Sequence, residues 1–268
     1  MWHQMQEGDF VQTYTEKGFR GNDKEWESMC IPFDEDAKIC LNGVIDRVDL
    51  CSLPGEELIK VIDYKSSDSQ DLSLAKVYYG LQMQLLTYLE AAKEMVEKEH
   101  KGKEAVPAAM LYYAIKEKNL DWKPESEEEY EKRVLDSMKC KGYVNEEPEI
   151  IGHLDKSVVN GGELIPGQKS GVVPVAVDKK GLLKKNSGAL STKDFETLIA
   201  HTKEKMKECG KAILDGKIEA IPYVYEDNDG CTYCPYGSVC GHESKKDGVR
   251  EMKKMSDDEV WEALYGDD

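Results

Sequence analysis

A chain of 268 residues with 40% hydrophobic content is long enough to bury a sizeable core, as one large domain or two small ones. Its 53 acidic against 36 basic residues, a net charge of -17, argue against a surface that by itself neutralises a long run of phosphates, the chief compositional objection to a nucleic-acid enzyme. No apolar run reaches membrane-spanning length, Met1-Trp2-His3-Gln4 lacks the charged and apolar regions of a signal peptide, and eight cysteines in so long a chain do not form a small secreted disulfide framework, so a cytoplasmic protein is expected.

Residues 1–37 read as a lead-in, the truncated end of an upstream region, in which residues 8–14 form a short helix or strand, residues 18–24 are loop-like and His3 is a surface histidine. Two apolar segments follow. Gly43-Val44-Ile45-Asp46-Arg47-Val48-Asp49 and Leu58-Ile59-Lys60-Val61-Ile62-Asp63-Tyr64-Lys65 flank Pro54-Gly55, which predicts a β-hairpin. Side chains two apart on a strand share a face, so Asp63 and Lys65 project together, and an antiparallel register can bring Asp46 beside them. Ile59, Val61 and Ile62 leave little polar alternation, which suits a central strand covered on both faces. Burying an ionised aspartate at the end of such a strand is costly unless it is paired or bound to a cation, so two carboxylates and an ammonium make a Mg²⁺ site. Arg47 and Asp49 read as paired surface charges at the strand end.

Ser69 or Asp71 can cap a helix over residues 74–98, on which Val77, Leu81, Leu85, Leu89 and Ala92 form an apolar stripe. Gln84 and Tyr88, four apart, lie one above the other at the edge of that stripe, either facing substrate or as an ordinary core-margin pair. Residues 107–115 read as a further strand, residues 127–138 as a solvated acidic helix, and residues 172–177 as an edge strand or loop, because Pro174 cannot donate to a ladder. A helix begins at Thr192, carries Phe195, Leu198, Ile199, Met206 and Ile213 at helical spacing, and stops near Gly216. Cys231-Thr232-Tyr233-Cys234-Pro235-Tyr236-Gly237-Ser238-Val239-Cys240 puts three thiols within ten residues, suited to a metal or cluster, to zinc with His242 as a local extra ligand, or to plain thiols. Cys30, Cys40, Cys51, Cys140 and Cys209 read as buried or incidental thiols. At the acidic end, residues 243–268, Ser256 and Glu259 stand in capping-box positions with Val260, Trp261 and Leu264 on one side, so the segment either docks on its own domain or is a disordered tail.

Gly43-x-Ile45-Asp46-Arg47-Val48-Asp49, Ile62-Asp63-Tyr64-Lys65-Ser66, Tyr79-Gly80-Leu81-Gln82-Met83-Gln84-Leu85-Leu86-Thr87-Tyr88-Leu89 and Cys231-x2-Cys234-x5-Cys240 stand in this order, and together they resemble the PD-(D/E)XK nucleases. Within that family they resemble the nuclease domain of the B subunit of bacterial ATP-dependent helicase/nucleases of AddAB type. The resemblance covers nearly all of residues 38–242. It implies an α/β, restriction-endonuclease-like core, a mixed central sheet flanked by helices over residues 38–220, followed by a cysteine-rich Fe-S element over residues 221–242. It further implies a Mg²⁺-dependent DNA exonuclease acting on broken ends for recombinational repair, with a helicase/nuclease A subunit as partner. Asp46 and Asp63 would hold the metal, Lys65 would serve the attacking water or the transition state, and Gln84 and Tyr88 would position the strand. Cys231, Cys234 and Cys240 would bind a [4Fe-4S] cluster whose fourth thiolate lies outside this chain. The family's upstream metal histidine and further cysteine are not recognisable here, His3 and Cys30 being only the nearest residue types. The alternative is a non-catalytic Fe-S or zinc module that guides DNA or binds a partner, for which loss of Asp46, Asp63 or Lys65 would be the mark.

Overall fold

The computed structural model describes residues 7–20, 29–66, 71–115, 126–243 and 247–266. His3, Ser69 and residues 21–24 of the expected loop lie outside them. The expected hairpin is present as β4 (Asn42–Ser52) and β5 (Glu56–Lys65), paired antiparallel. Its turn has Pro54 at the position where a fixed φ helps and Gly55 at φ +86°, closed by Glu56 N–H donating to the Leu53 carbonyl. From Glu57 to Asp63 every residue of β5 is buried, as a strand covered on both faces requires.

Around this hairpin the described residues build a mixed six-stranded sheet in the order β1-β4-β5-β6-β7-β10. β1 (Val11–Arg20) runs antiparallel along β4, so the segment expected as a lead-in supplies a strand that includes Gly18. Between them in sequence, β2 (Cys30–Pro32) and β3 (Lys38–Cys40) form a separate two-stranded ribbon. Cys30 and Cys40, expected as free thiols, face each other across it in a disulfide. β6 (Glu104–Ala114) lies parallel to β5, β7 (Lys141–Asn145) antiparallel to β6, and β10 (Ala189–Leu190) parallel to β7. The small pairs β8 (Val159–Asn160) and β9 (Glu163–Leu164) stand apart. Residues 172–177 form a loop with isolated bridges, and its Val172, Val173, Val175 and Val177 are buried.

The parallel β5–β6 connection needs a crossover, and two helices supply it, α1 (Leu74–Tyr78) and α2 (Gln84–Glu99), where a single helix was expected. Gly80, at φ +76°, explains the break. Leu81 N–H donates to the Lys76 carbonyl and Gly80 N–H to that of Val77, the left-handed closure that ends helices at glycine. The cap is Ser73, which accepts from Lys76 N–H, rather than Asp71. After the capped acidic helix α3 (Glu127–Ser137) and α4 (Pro148–Leu154), the long helix α5 (Thr192–Leu214) starts from a Ser191–Asp194 capping box and closes at Gly216 in the same left-handed way as α1. Ile213, expected on its core stripe, is exposed, because the helix has by then run past the sheet. Beyond it, β11 (Tyr223–Tyr225), β12 (Asn228–Asp229) and β13 (Arg250–Glu251) form a small sheet carrying the one-turn α6 (Gly237–Cys240). The acidic end folds as α7 (Asp257–Tyr265), with the Ser256–Glu259 capping box in place and Val260 buried in the main core.

The sheet separates two apolar layers. One contains Ile59, Val61, Val77, Leu85, Leu89 and Phe195, the other Leu58, Ile62, Leu111, Val144, Ile151 and Val173. The second layer also encloses a charged cluster that overturns the expectation of surface charges: Arg47 and Asp49 are 1% and 0% exposed. The Arg47 guanidinium grips Asp49 through Nε at 2.6 Å and a terminal nitrogen at 2.8 Å, and Lys60 Nζ lies 2.9 Å from the same carboxylate and over the Phe10 ring. Two cations around one buried anion are stable only as a set, since removing Asp49 strands both positive charges away from water. Asp49→Ala should therefore lower the stability of the fold by about 3–5 kcal/mol, read as a shifted urea midpoint. Lys60→Met, which leaves the Arg47–Asp49 pair whole, should cost far less.

Candidate active site

At the C-terminal end of β5 the alternation of the strand aims Asp63 and Lys65 toward the α2 side of the sheet, and the β4 register, Arg47 opposite Ile62, sets Asp46 opposite Asp63. Asp46 Oδ2 accepts from Tyr64 N–H at 2.8 Å, which fixes that carboxylate against the end of the neighbouring strand. Asp63 is 2% exposed. Its Oδ2 sits 2.5 Å from Lys65 Nζ, but the approach lacks hydrogen-bond alignment, so this buried oxygen accepts no hydrogen bond. Burial pushes the Asp63 carboxyl above its ordinary pKa, Lys65 opposes that rise, and the nearby Asp46 adds to it.

Lys65 is held by its surroundings as well as by Asp63. Its ammonium lies over the Tyr112 ring, 5.0 Å from the centroid, and donates to Gln84 Oε1 at 3.0 Å. Gln84 Nε2 in turn is 2.9 Å from the Tyr88 hydroxyl, as the four-residue spacing on α2 predicts. Because Gly80 ends α1, α2 begins at Gln84, which places this side chain in the first turn, at the mouth of the sheet. Tyr88 packs edge-on against Phe19 of β1. The glycine of the Gly43-x-Ile45-Asp46 stretch is required here: a Cβ at residue 43 would lie 2.8 Å from the Phe19 ring and 3.6 Å from Tyr88. The five residues singled out in sequence, Asp46, Asp63, Lys65, Gln84 and Tyr88, thus stand at one end of the sheet, four of them in a continuous chain of contacts. Sequence reasoning missed Phe19 and Tyr112, which carry no motif of their own and are set in place only by sheet pairing.

The chemistry of the set suits a hard cation. Asp46 and Asp63 offer carboxylate oxygens, one of them a buried oxygen without a hydrogen bond, and a Mg²⁺ ion uses one or two protein carboxylates, completing its shell with water and phosphate oxygens. Among the described residues no cluster of three or more His, Cys, Asp or Glu side chains surrounds a metal position.

The other predicted ligands lie elsewhere. Cys231, Cys234 and Cys240 are exposed, on the turn after β12 and at the end of α6. Desolvation, Asp229 and the neighbouring Cys234 and Cys240 hold the Cys231 thiol above its ordinary pKa, so the three sulfurs share one locality. They do not close a site among the described residues, and as arranged they do not fit a cluster. The side chain of the adjacent His242 is buried, 3.8 Å from Asp247.

Comparison with known proteins accords with this geometry. Over 269 residues the chain is 34% identical to the B subunit of the ATP-dependent helicase/deoxyribonuclease of Lachnoclostridium phytofermentans, covering 99% of this chain and 22% of that protein. The B subunit of the same name from a Thermoanaerobacter species is 33% identical over 91% of this chain and 20% of its own length, and that of Alkaliphilus oremlandii 30% identical over 98% and 23%. The chain therefore spans about a fifth of the length of these relatives. Residues 2–241 match the PD-(D/E)XK nuclease superfamily, and the chain belongs to it.

Proposed function

We propose that this chain is a Mg²⁺-dependent DNA exonuclease domain that acts within a helicase–nuclease complex on the ends of double-strand breaks, supplying recombinational repair. The observation that carries the reading is the buried Asp63 oxygen that accepts no hydrogen bond, set beside Asp46 and Lys65 at a strand end. A side chain held in that state is destabilising for the metal-free fold and is accounted for by a cation that the site binds in function. The names of the relatives, each the B subunit of an ATP-dependent helicase/deoxyribonuclease, support DNA as substrate and a helicase as partner.

Asp46 and Asp63 would hold the ion, which when bound polarises the scissile phosphate and lowers the pKa of its water. Lys65 sits where an ammonium can orient the attacking water or neutralise charge growing on the phosphate oxygens, and its contacts to Gln84 and Tyr112 keep it from swinging away. Gln84 and Tyr88 present an amide and a phenol at the same mouth, placed to steady the strand being cut. A non-catalytic guiding module is the weaker reading, since all three residues whose loss would mark it are intact and in contact or register.

The cysteine element enters this reading as a [4Fe-4S] site only with a fourth thiolate supplied from outside this chain, because a cube held in the usual way takes four. Purified anaerobically by itself, the chain should hold little iron and little zinc by elemental analysis. One zinc per chain would favour the interaction module, and a stoichiometric iron-sulfur chromophore would show that the ligand set is complete within it.

The central test is Asp63→Asn. In the full-length protein it should abolish Mg²⁺-supported cleavage of single-stranded DNA, and full activity would refute the site. A second readout needs no catalysis. Because the folded Asp63 carboxyl has a raised pKa, its contribution to stability is present below the unfolded carboxylate value of about 3.9 and is lost as pH rises through the folded value. At neutral pH without metal, Asp63→Asn should therefore melt higher than the parent, and Mg²⁺ should raise the melting temperature of the parent but not of the variant.

A further inference from the structure

A cleft of about 450 Å³ opens between β7 and the loop of residues 169–188. Lys139, Lys141, Lys169 and Lys185 line it, an unusual concentration in a chain whose acids outnumber its bases 53 to 36. Its relation to the candidate active site follows from register: Asp63 pairs with Tyr112 on β6, and Tyr112 pairs with Lys141 on β7. Paired residues share a face, so Lys141 stands on the same face and at the same end of the sheet as Asp63, two strand spacings or about 10 Å away. Lys65 lies over the Tyr112 ring that separates them.

We propose that this cleft is the track for the phosphodiester backbone of a single DNA strand on its way to or from the Asp46–Asp63 centre, with Lys141, Lys169 and Lys185 as its phosphate contacts. The proposal rests on the nuclease reading and gives the strand a path across β6 and β7. The acids of the cleft fit a displaceable arrangement. Asp71 lies 2.8 Å from Lys141, Asp136 3.6 Å from Lys169, and Asp258 of α7 2.9 Å from Lys185, while Asp257 completes the wall. These are solvent-exposed pairs of the kind that contribute about 0–1 kcal/mol, so a phosphate can take the place of each carboxylate at small cost. Lys139 is the inner member. It donates to the Ser170 carbonyl, and burial together with Lys169 lowers its pKa to about 8, so an arriving anion would favour its charged form.

The probe is a fluorescein-labelled oligothymidylate, its binding to the full-length protein followed by anisotropy in EDTA, where no cleavage occurs. The triple variant Lys141→Gln, Lys169→Gln, Lys185→Gln should bind at least tenfold more weakly, and the slope of log K against log salt should flatten by about 2, at roughly 0.7 for each single-strand phosphate that is no longer neutralised. Asp136→Asn with Asp258→Asn should act in the opposite direction, tightening binding by releasing Lys169 and Lys185, and this arm stands if the triple variant fails to fold. Unchanged affinity and slope in the folded triple variant, or no tightening in the aspartate pair, would overturn the track. Asp63→Asn separates the two ideas: it should bind the probe like the parent while cutting nothing. Cleavage by that variant would remove the assignment of Asp63 to the catalytic centre, whereas the track stands or falls on anisotropy alone.

Discussion

A carboxylate buried at the end of a strand that is covered on both faces is the constraint from which the site follows. β5 contains two such groups and treats them in opposite ways. Glu57, near its start, is 1% exposed and accepts from Ser52 at 2.6 Å and Lys103 at 2.9 Å, with His100 at 3.2 Å. Burial raises its pKa, but the bonds from Ser52 and Lys103 more than offset the rise and hold it below the ordinary glutamate value. Asp63, near the other end, is equally buried and keeps one oxygen without a hydrogen bond, and its pKa goes up. The same strand thus shows a carboxylate whose partners more than offset its burial and one whose single ammonium partner offsets it only in part. That contrast singles out Asp63, rather than Glu57, as the candidate site.

The remaining architecture keeps Asp63 where its environment has this effect. On the opposite face of the same two strands, Arg47, Asp49 and Lys60 tie β4 to β5. A slip of β4 by one residue would turn Asp46 away from Asp63 and carry Arg47 and Asp49 into the apolar layer around Val61 and Leu85, parting them from Lys60 on β5. The triad therefore acts on the site through register: it makes the wrong pairing costly. Gly43 and Gly80 do comparable work in the backbone. One lets Phe19 and Tyr88 close over β4, and the other ends α1 so that Gln84 opens a new helix facing Lys65.

The hairpin, its buried strand and the Gln84–Tyr88 pair were legible in the sequence because each rests on a local rule: alternation, a Pro-Gly turn, a spacing of four. The split of the crossover helix left only a trace, Gly80 in the middle of it, because the apolar stripe from Val77 to Ala92 runs across the break and masks it. What composition and spacing could not show was pairing at a distance. Arg47 and Asp49 look like any charged strand end until the second apolar layer is known to cover them, and Cys30 and Cys40 become partners only once β2 and β3 meet. Strand β1 was obscured for a related reason. Its exposed, polar residues give little periodicity, and its membership in the sheet comes from backbone pairing with β4 rather than from burial of its side chains.

The net charge of -17 acquires a different meaning once the charges have positions. Electrostatic attraction to a polyanion depends on the local field at the contact, which falls off within about 10 Å at ordinary ionic strength, and not on the sum over the molecule. Acid-rich α3 and α7 flank the lysine cleft, and their Asp136 and Asp258 occupy its cations at the surface. An arrangement in which carboxylates already occupy the lysines weakens non-specific adhesion to nucleic acid, because each contact requires a displacement, yet it keeps the cations in place for a strand delivered at high local concentration. Such a surface favours a ligand delivered at high local concentration over one captured from dilute solution.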